Sequence, residues 1–429
     1  MENPAPQPNP ADFEIEKEMQ VNSELEGQQL KTEAEIPTLE TDAMDQSATQ
    51  TILAEMEEVV HENNVLNLQE NGAEMPSSET EYIPERKGRM VRYAVTLAYD
   101  GSNHHGMQCQ PIDSECNAIE NDLYRALVAE QLIPESDDQR LIGGIWKTVE
   151  FQRASRTDAR VSALGNVVTL LMAKGEDVEN TGIERLNRHL PESIRIIAIN
   201  RVTKSFNSWK DCDGRTYSYW TPSFVFADMD KLISPDYRIS EKRLDEIQNL
   251  MTVFLGTHNF YNYTSGRASD DWSCNRHIWS FNIDEPITVR DGFRNMEMEF
   301  VRLRIYGNSF MMHQIRKIVG TTIAVARELM PLDEVYESFN PIRRDIPRAP
   351  ATGLYLERLH YDWYDKKFGS THPKLSNFGE EVEQQIRNTE KNIIIPNILR
   401  KECESMSMFN FVRTLYRVGR IGKLFIKGA

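Results

Sequence analysis

The chain has 429 residues, 66 of them acidic and 49 basic, for a net charge of −17. That length exceeds one small module and accommodates two or three folding units, at roughly 100–200 residues each. The acidity is local: residues 1–85 hold 21 Asp and Glu against Lys17 and Lys31, which leaves 45 acidic and 47 basic residues in 86–429. The total charge at face value excludes a nucleic-acid binder, yet the near-neutral body keeps room for basic patches.

Residues 1–88 are poor in aromatics, rich in Glu, Gln, Asn and Pro, and lack a sustained apolar period, which predicts an acidic disordered tail. Its composition suits a solvating tail, with electrostatic competition for the basic surface of the body as the alternative. The cluster Glu85-Arg86-Lys87-Gly88-Arg89 closes it. No stretch approaches about 18 consecutive apolar residues, and neither a signal-peptide core nor an Arg-rich presequence opens the chain, which points to cytosol or nucleus. Cys109, Cys116, Cys212, Cys274 and Cys403 show no paired short spacing, so neither a metal site nor a disulfide framework is expected.

From Val91 onward strand-like and helix-like patterns alternate. Arg92 to Tyr99 reads as a strand closed by the turn Asp100-Gly101. Ile119, Leu123 and Leu127 fall at helical spacing, in a helix that stops before Pro134. Strand signals follow around Val149–Phe151 and over Asn166–Met172. A helix opens at Thr181 and Glu184 with a capping-box pattern, and a strand runs from Ile194 to Val202. The order then recurs. Arg215–Trp220 is a strand, and a helix capped by Ser240 carries Leu244, Ile247, Met251 and Phe254 to Gly256. His277–Ile283 and Met296–Tyr306 are strands, the second with a parity change that predicts a bulge near Phe300. A long helix is expected from Asn308 to about Met330, and Gly353–Leu356 begins a closing strand.

The expected fold is therefore α+β. Two ferredoxin-like (β-α-β-β-α-β) halves, 89–208 and 209–364, join into one mostly antiparallel sheet with helices on one face and a central cleft. A helical C-terminal extension spans 365–429.

Chemistry concentrates between the two middle strands of the first half. In Arg153-Ala154-Ser155-Arg156-Thr157-Asp158-Ala159-Arg160 a single carboxylate lies among three arginines, so Asp158 should be ionised and the arginines could meet phosphate. Spacing alone favours a turn aspartate that accepts backbone hydrogen bonds beside solvated arginines.

Further motifs decide between these readings. Arg156-Thr157-Asp158 with Val161-Ser162-Ala163 and Gly165-Asn166-Val167-Val168 resembles the signature of the TruA-type tRNA pseudouridine synthases. Tyr99-Asp100-Gly101, His105-Gly106-Met107-Gln108, Arg215-Thr216-Tyr217-Ser218-Tyr219, Gly256-Thr257-His258-Asn259-Phe260, Ser309 to Gly320 and Gly353-Leu354-Tyr355-Leu356 are similar to its other motifs, in the same order. The likeness covers about residues 90–362 and, more weakly, 380–416, and it is nearest to the eukaryotic multisite branch.

The resemblance implies a cofactor-free isomerase acting on tRNA, with small nuclear or messenger RNA as further partners. A monomer is implied, without membrane association, in the nucleus or alternatively in the cytoplasm or mitochondrion. Asp158 would be catalytic, Arg316 its ionic partner, Tyr217 the platform under the uracil, and Arg156 the residue that fills the space of the flipped base, with Arg153 and His258 further RNA contacts. An exposed helical stripe of Ser309, Met312 or His313, and Arg316 is expected opposite a core face of Met311, Ile315, Ile318 and Thr322. His105 and His313 are candidates for RNA contact, although structural histidines are commoner. Arg343, Arg344 and Arg348 form a basic stretch suited to backbone phosphate.

The chain departs from the family at Arg160, where a glycine is usual. Glycine there suggests a permissive backbone angle or a close approach. The alternatives are a binding or RNA-folding protein that keeps the scaffold without efficient chemistry, and the anticodon-arm branch of the family.

Overall fold

The computed structural model describes residues 89–419 apart from 110–116, 136–141, 175–177, 230 and 232; the acidic tail expected over 1–88 lies outside them. The first half runs β1 (Met90–Tyr99), α1 (Ile119–Ala129), α2 (Ile142–Thr148), β2 (Gln152–Arg153), β3 (Ser162–Ala173), α3 (Thr181–His189) and β4 (Ile194–Arg201). The second runs β5 (Gly214–Pro222), α4 (Glu241–Met251), β6 (Gly256–Asn259), β7 (Asn275–Ile283), β8 (Ile287–Asp291), β9 (Met296–Gly307), α5 (Gln314–Ala326), α6 (Leu332–Glu337) and β10 (Leu354–His360). Helices α7 (Asp362–Phe368), α8 (Glu380–Thr389), α9 (Ile395–Ser405) and α10 (Ser407–Gly419) complete the chain.

The strands form one ten-stranded sheet in the order β4-β1-β3-β10-β5-β9-β7-β6, with β2 beside β3 and β8 beside β9. Neighbours are antiparallel except at β3 and β10. That pair joins the halves in parallel through Ser162–Tyr355 and Ala163–Leu356.

Local chemistry explains the main elements. Ile119, Leu123 and Leu127 bury one face of α1 completely. The Ser240 hydroxyl accepts from the Arg243 N–H at 3.3 Å and caps α4, whose Ile247 and Met251 are buried, and Gly256 takes φ +89° beyond the following turn. β5 is buried at every position because the sheet is covered on both faces there.

Several expectations are corrected. The strand signal at Val149–Phe151 resolves into a turn with Glu150 at φ +51°, and pairing begins at Gln152. Trp146 stacks on Phe151 at 4.0 Å, so the aromatic run packs the end of α2. No bulge interrupts β9. Its register with β5 is continuous from Gly307 to Phe300, and with β8 from Phe300 to Met296. Met298, Glu299, Phe300 and Val301 are all buried, so both faces are covered and the parity change needs no extra residue. The expected long helix starts only at Gln314 because His313 adopts φ +66°, which a right-handed helix cannot contain. Ser309, Met312 and His313 therefore precede the helix and share no stripe with Arg316. The core face fares better, with Ile315, Ile318 and Thr322 buried. Strands β6 and β8 were not anticipated.

Register sorts the sheet faces. Tyr217 and Tyr219 share a face with their β9 partners Ile305 and Leu303. Arg153, opposite Val168, meets Glu120 of α1. On the other face Arg302 and the Tyr355 hydroxyl contact Glu390, and Arg358 pairs with Glu383, so the C-terminal extension covers that side.

Candidate active site

The segment 154–161 connects β2 to β3 and alternates in burial: Ser155 and Thr157 are buried, Arg156 is exposed and Asp158 is half-exposed. The inward residues are held by a polar network. The Ser155 hydroxyl lies 2.7 Å from the Tyr217 hydroxyl, and Thr157 Oγ1 lies 2.8 Å from the Tyr99 hydroxyl. Asn166 Nδ2 donates to the Ser155 carbonyl at 3.0 Å and to Tyr99 at 3.1 Å. With its neighbours so fixed, Asp158 projects from a rigid frame rather than from a loose turn.

A second loop braces the first. Gly106 has φ +98°, and a Cβ there would meet the Thr157 carbonyl at 2.9 Å. The Met107 N–H donates to that same carbonyl at 3.2 Å. Glycine at 106 is therefore required by backbone approach directly behind Asp158.

The second half supplies what faces the carboxylate. His313 Nδ1 lies 3.3 Å from Asp158 Oδ2, the one ion-pair contact of Asp158 within 4 Å among the described residues. Burial lowers the His313 pKa, helped by Arg348 and Arg316, while Asp158 opposes the shift. Arg316, on the first turn of α5, donates Nε–H to the Ala349 carbonyl at 2.7 Å. Burial and then Arg348 lower its pKa, with Asp158 opposing. Arg316 thus lies within the field of Asp158 without touching it. Tyr217 is 8% exposed and meets Phe310 edge-on at 5.5 Å. Its pKa is raised by burial, with a contribution from Asp158 that places the two groups in one electrostatic neighbourhood.

Arg156 is exposed beside this group. Arg153 is differently placed. Its guanidinium grips both carboxylate oxygens of Glu120, which is fully buried, so its charge is already matched inside the protein. His258 lies on β6 at the sheet edge, stacked on Phe339 at 4.2 Å with Nε2 2.8 Å from the Leu255 carbonyl. Five strand spacings, roughly 24 Å at the usual separation, divide it from β3. The structure therefore gathers Asp158, Arg156, Tyr217 and Arg316 and leaves His258 apart. Within the basic stretch, Arg344 is held by Glu334 and Glu337, whereas exposed Arg348 lies near His313 and Arg316.

Sequence reasoning missed Glu120 and Arg215. Arg215 is 6% exposed and donates to the Asn308 carbonyl at 2.9 Å and the Ala154 carbonyl at 3.2 Å, tying the Asp158 loop to the loop that carries His313. Its place at the head of the Arg-x-Tyr-x-Tyr strand was the available signal. Arg160 takes φ +66°, the conformation that glycine adopts freely. Its N–H donates to the His104 carbonyl at 3.1 Å and its side chain is exposed.

Comparison with known proteins identifies the family. A family model described as tRNA pseudouridine synthase matches residues 250–362. The mouse (Mus musculus) Pseudouridylate synthase 1 homolog is 37% identical over 335 residues, covering 77% of this chain and 75% of that one. The Homo sapiens protein of the same name is also 37% identical, over 324 residues, covering 75% and 72%. tRNA pseudouridine synthase 1 of Candida glabrata is 29% identical over 396 residues, covering 74% and 68%. With these motifs, this loop geometry and relatives aligned over most of both lengths, the chain belongs to the tRNA pseudouridine synthase family.

Proposed function

We propose that the chain isomerises uridine to pseudouridine in tRNA, with Asp158 as the catalytic residue. The observation that carries this reading is a half-exposed carboxylate on a braced loop, 3.3 Å from His313 and adjacent to Tyr217 and Arg316. Pseudouridine formation breaks the bond from ribose carbon 1′ to uracil nitrogen 1 and turns the base. It then joins carbon 1′ to carbon 5, and the proton lost from carbon 5 is balanced by one gained at nitrogen 1, with no net oxidation and no water consumed. A carboxylate suffices, as a trap for the electron-poor sugar or as a base for the 2′ proton.

A uridine in a stem must first leave the helix, at a cost of a few kcal/mol. Exposed Arg156 is suited to fill the vacated space, and the Tyr217 ring, fixed by Ser155 and Phe310, to support the extruded base, worth on the order of 1–3 kcal/mol. Arg153, held by Glu120, acts by shaping the loop, and His258 acts at the periphery.

Each half is read as ferredoxin-like, supported by the strand orders β4-β1-β3-β2 and β10-β5-β9-β7. On resemblance alone the reading extends to small nuclear or messenger RNA as further substrates, to a monomer, and to residence in the nucleus, with cytoplasm or mitochondrion as the alternative. The alternative of a scaffold that binds RNA without chemistry rests on Arg160, which takes φ +66° with its side chain exposed.

The test is Asp158→Ala with an unmodified tRNA transcript. Pseudouridine formation should fall by roughly 10⁴-fold or more while RNA binding persists. Turnover near the wild-type rate would refute the assignment.

A further inference from the structure

Resting on that function, the structure assigns a role to a residue that neither the motifs nor the catalytic loop identify: we propose that Arg276 is a phosphate-binding residue, holding a backbone phosphate of the RNA that flanks the flipped nucleotide, at the periphery of the site. Arg276 lies on β7, half-buried, with its Nε enclosed and without a hydrogen-bond partner. No carboxylate lies within ion-pair distance of it among the described residues. The nearest candidate, Asp271, is engaged by Arg267 at 3.0 Å and by the Ser273 N–H at 2.8 Å.

Arg267 and Arg215 bring like charge towards Arg276, while Cys274 and the already engaged Asp271 offset part of it. Burial lowers its pKa, and Arg267 and Arg215 add to that shift. Arg215 spends its donors on the Ala154 and Asn308 carbonyls and offers Arg276 nothing. A partly desolvated guanidinium with an unmatched donor and cationic neighbours is unfavourable in the free protein, and a bound anion reverses the penalty. A planar fork of donors fits a phosphate better than a point charge does.

Register places that anion. Ile278 pairs with Gly307, and Gly307 with Arg215, so Arg276, two residues from Ile278, shares its sheet face with Arg215 and Tyr217. Two strand spacings, roughly 10 Å, separate β7 from β5, and Arg276, paired with His258, lies about four residues, roughly 13 Å, along the strands from the level of Tyr217, where the backbone of neighbouring nucleotides would run when one base rests on Tyr217. Arg215 couples the two places directly, since it holds the loop of Asp158 by the Ala154 carbonyl.

The experiment measures the affinity of Arg276→Gln and Arg276→Lys for an unmodified tRNA transcript between about 50 and about 200 mM KCl. The glutamine variant should bind about 10-fold more weakly or worse at the lower salt. The slope of log affinity against log salt should shrink by about 0.7–0.9, the share of one phosphate. The lysine variant should keep the wild-type slope, and the thermal midpoint of the glutamine variant should not fall, because an unmatched cation has been removed. Wild-type slope and affinity in Arg276→Gln would overturn this proposal alone, provided the wild-type protein forms pseudouridine. Failure of the wild-type protein to bind or modify the transcript would overturn it together with the proposed function.

Discussion

The two halves contribute opposite chemistry to one place. The first brings the carboxylate, on a loop frozen by Tyr99, Asn166 and Gly106. The second brings His313, Arg316, Arg215 and the Tyr217 ring. Neither half holds a complete site, and the strand pairing between them amounts to two residue pairs. The division teaches that the seam matters as much as the loop: polar bridges such as Ser155 to Tyr217 and Arg215 to Ala154 set the distance between acid and cations.

Removing a contribution of the second half is the strongest challenge to this division. Arg316→Ala should lower the rate of pseudouridine formation by roughly 10²–10³-fold, as for other charges aimed at a reacting centre. RNA affinity should change far less, and single-turnover kinetics at saturating tRNA would separate the two. An unaltered rate would mean that the first half works unaided.

A smaller effect tests the clasp between the halves and the C-terminal extension. Glu402, on α9, is 3% exposed and accepts from the Met408 N–H at 2.8 Å. Burial pushes its pKa up to about 7 from an ordinary value of 4.5. A carboxyl whose folded pKa is raised gives stability that is full below pH 4.5 and is lost as pH rises through about 7. Thermal unfolding should accordingly show a loss on the order of 1–3 kcal/mol over that window. Glu402→Gln, which keeps an acceptor for Met408, should flatten the profile.

The smallest effect is expected at Arg160. Because its backbone already adopts the left-handed angle and its side chain is exposed, Arg160→Gly should alter stability by no more than about 1 kcal/mol and leave the rate unchanged. A large gain in rate would show that the arginine impairs the first half.

Much of this arrangement was legible in the sequence because it depends on period and type. The cap at Ser240, the buried stripe of α1 and the order of the long strands follow from local patterns. Other features depend on contacts far apart in the chain. His313 reads as a helical residue, and only the fold reveals its positive φ. Glu120 reads as a first-turn acid of α1, although it is fully buried against Arg153, 33 residues away. Strands β6 and β8 are short and largely half-buried or exposed, so they carry little apolar alternation. Asp158 itself reads by spacing as a turn carboxylate and gains its catalytic meaning from the ordered motifs around it.

The C-terminal extension has a consequence for how the protein is made. Asn397 donates to Asp100 at 3.0 Å, beside the loop that braces Asp158, while Arg294 and Arg327 of the second half meet the Cys403 carbonyl and the Tyr416 hydroxyl. Residues near the start of the folded region thus await partners about 300 positions later, so a nascent chain on the ribosome carries both halves of the catalytic apparatus before it owns the piece that fastens them. Ribosomes that stall or terminate within α8 or α9 would release chains with an unfastened seam and an exposed sheet face, natural clients for chaperones and proteases.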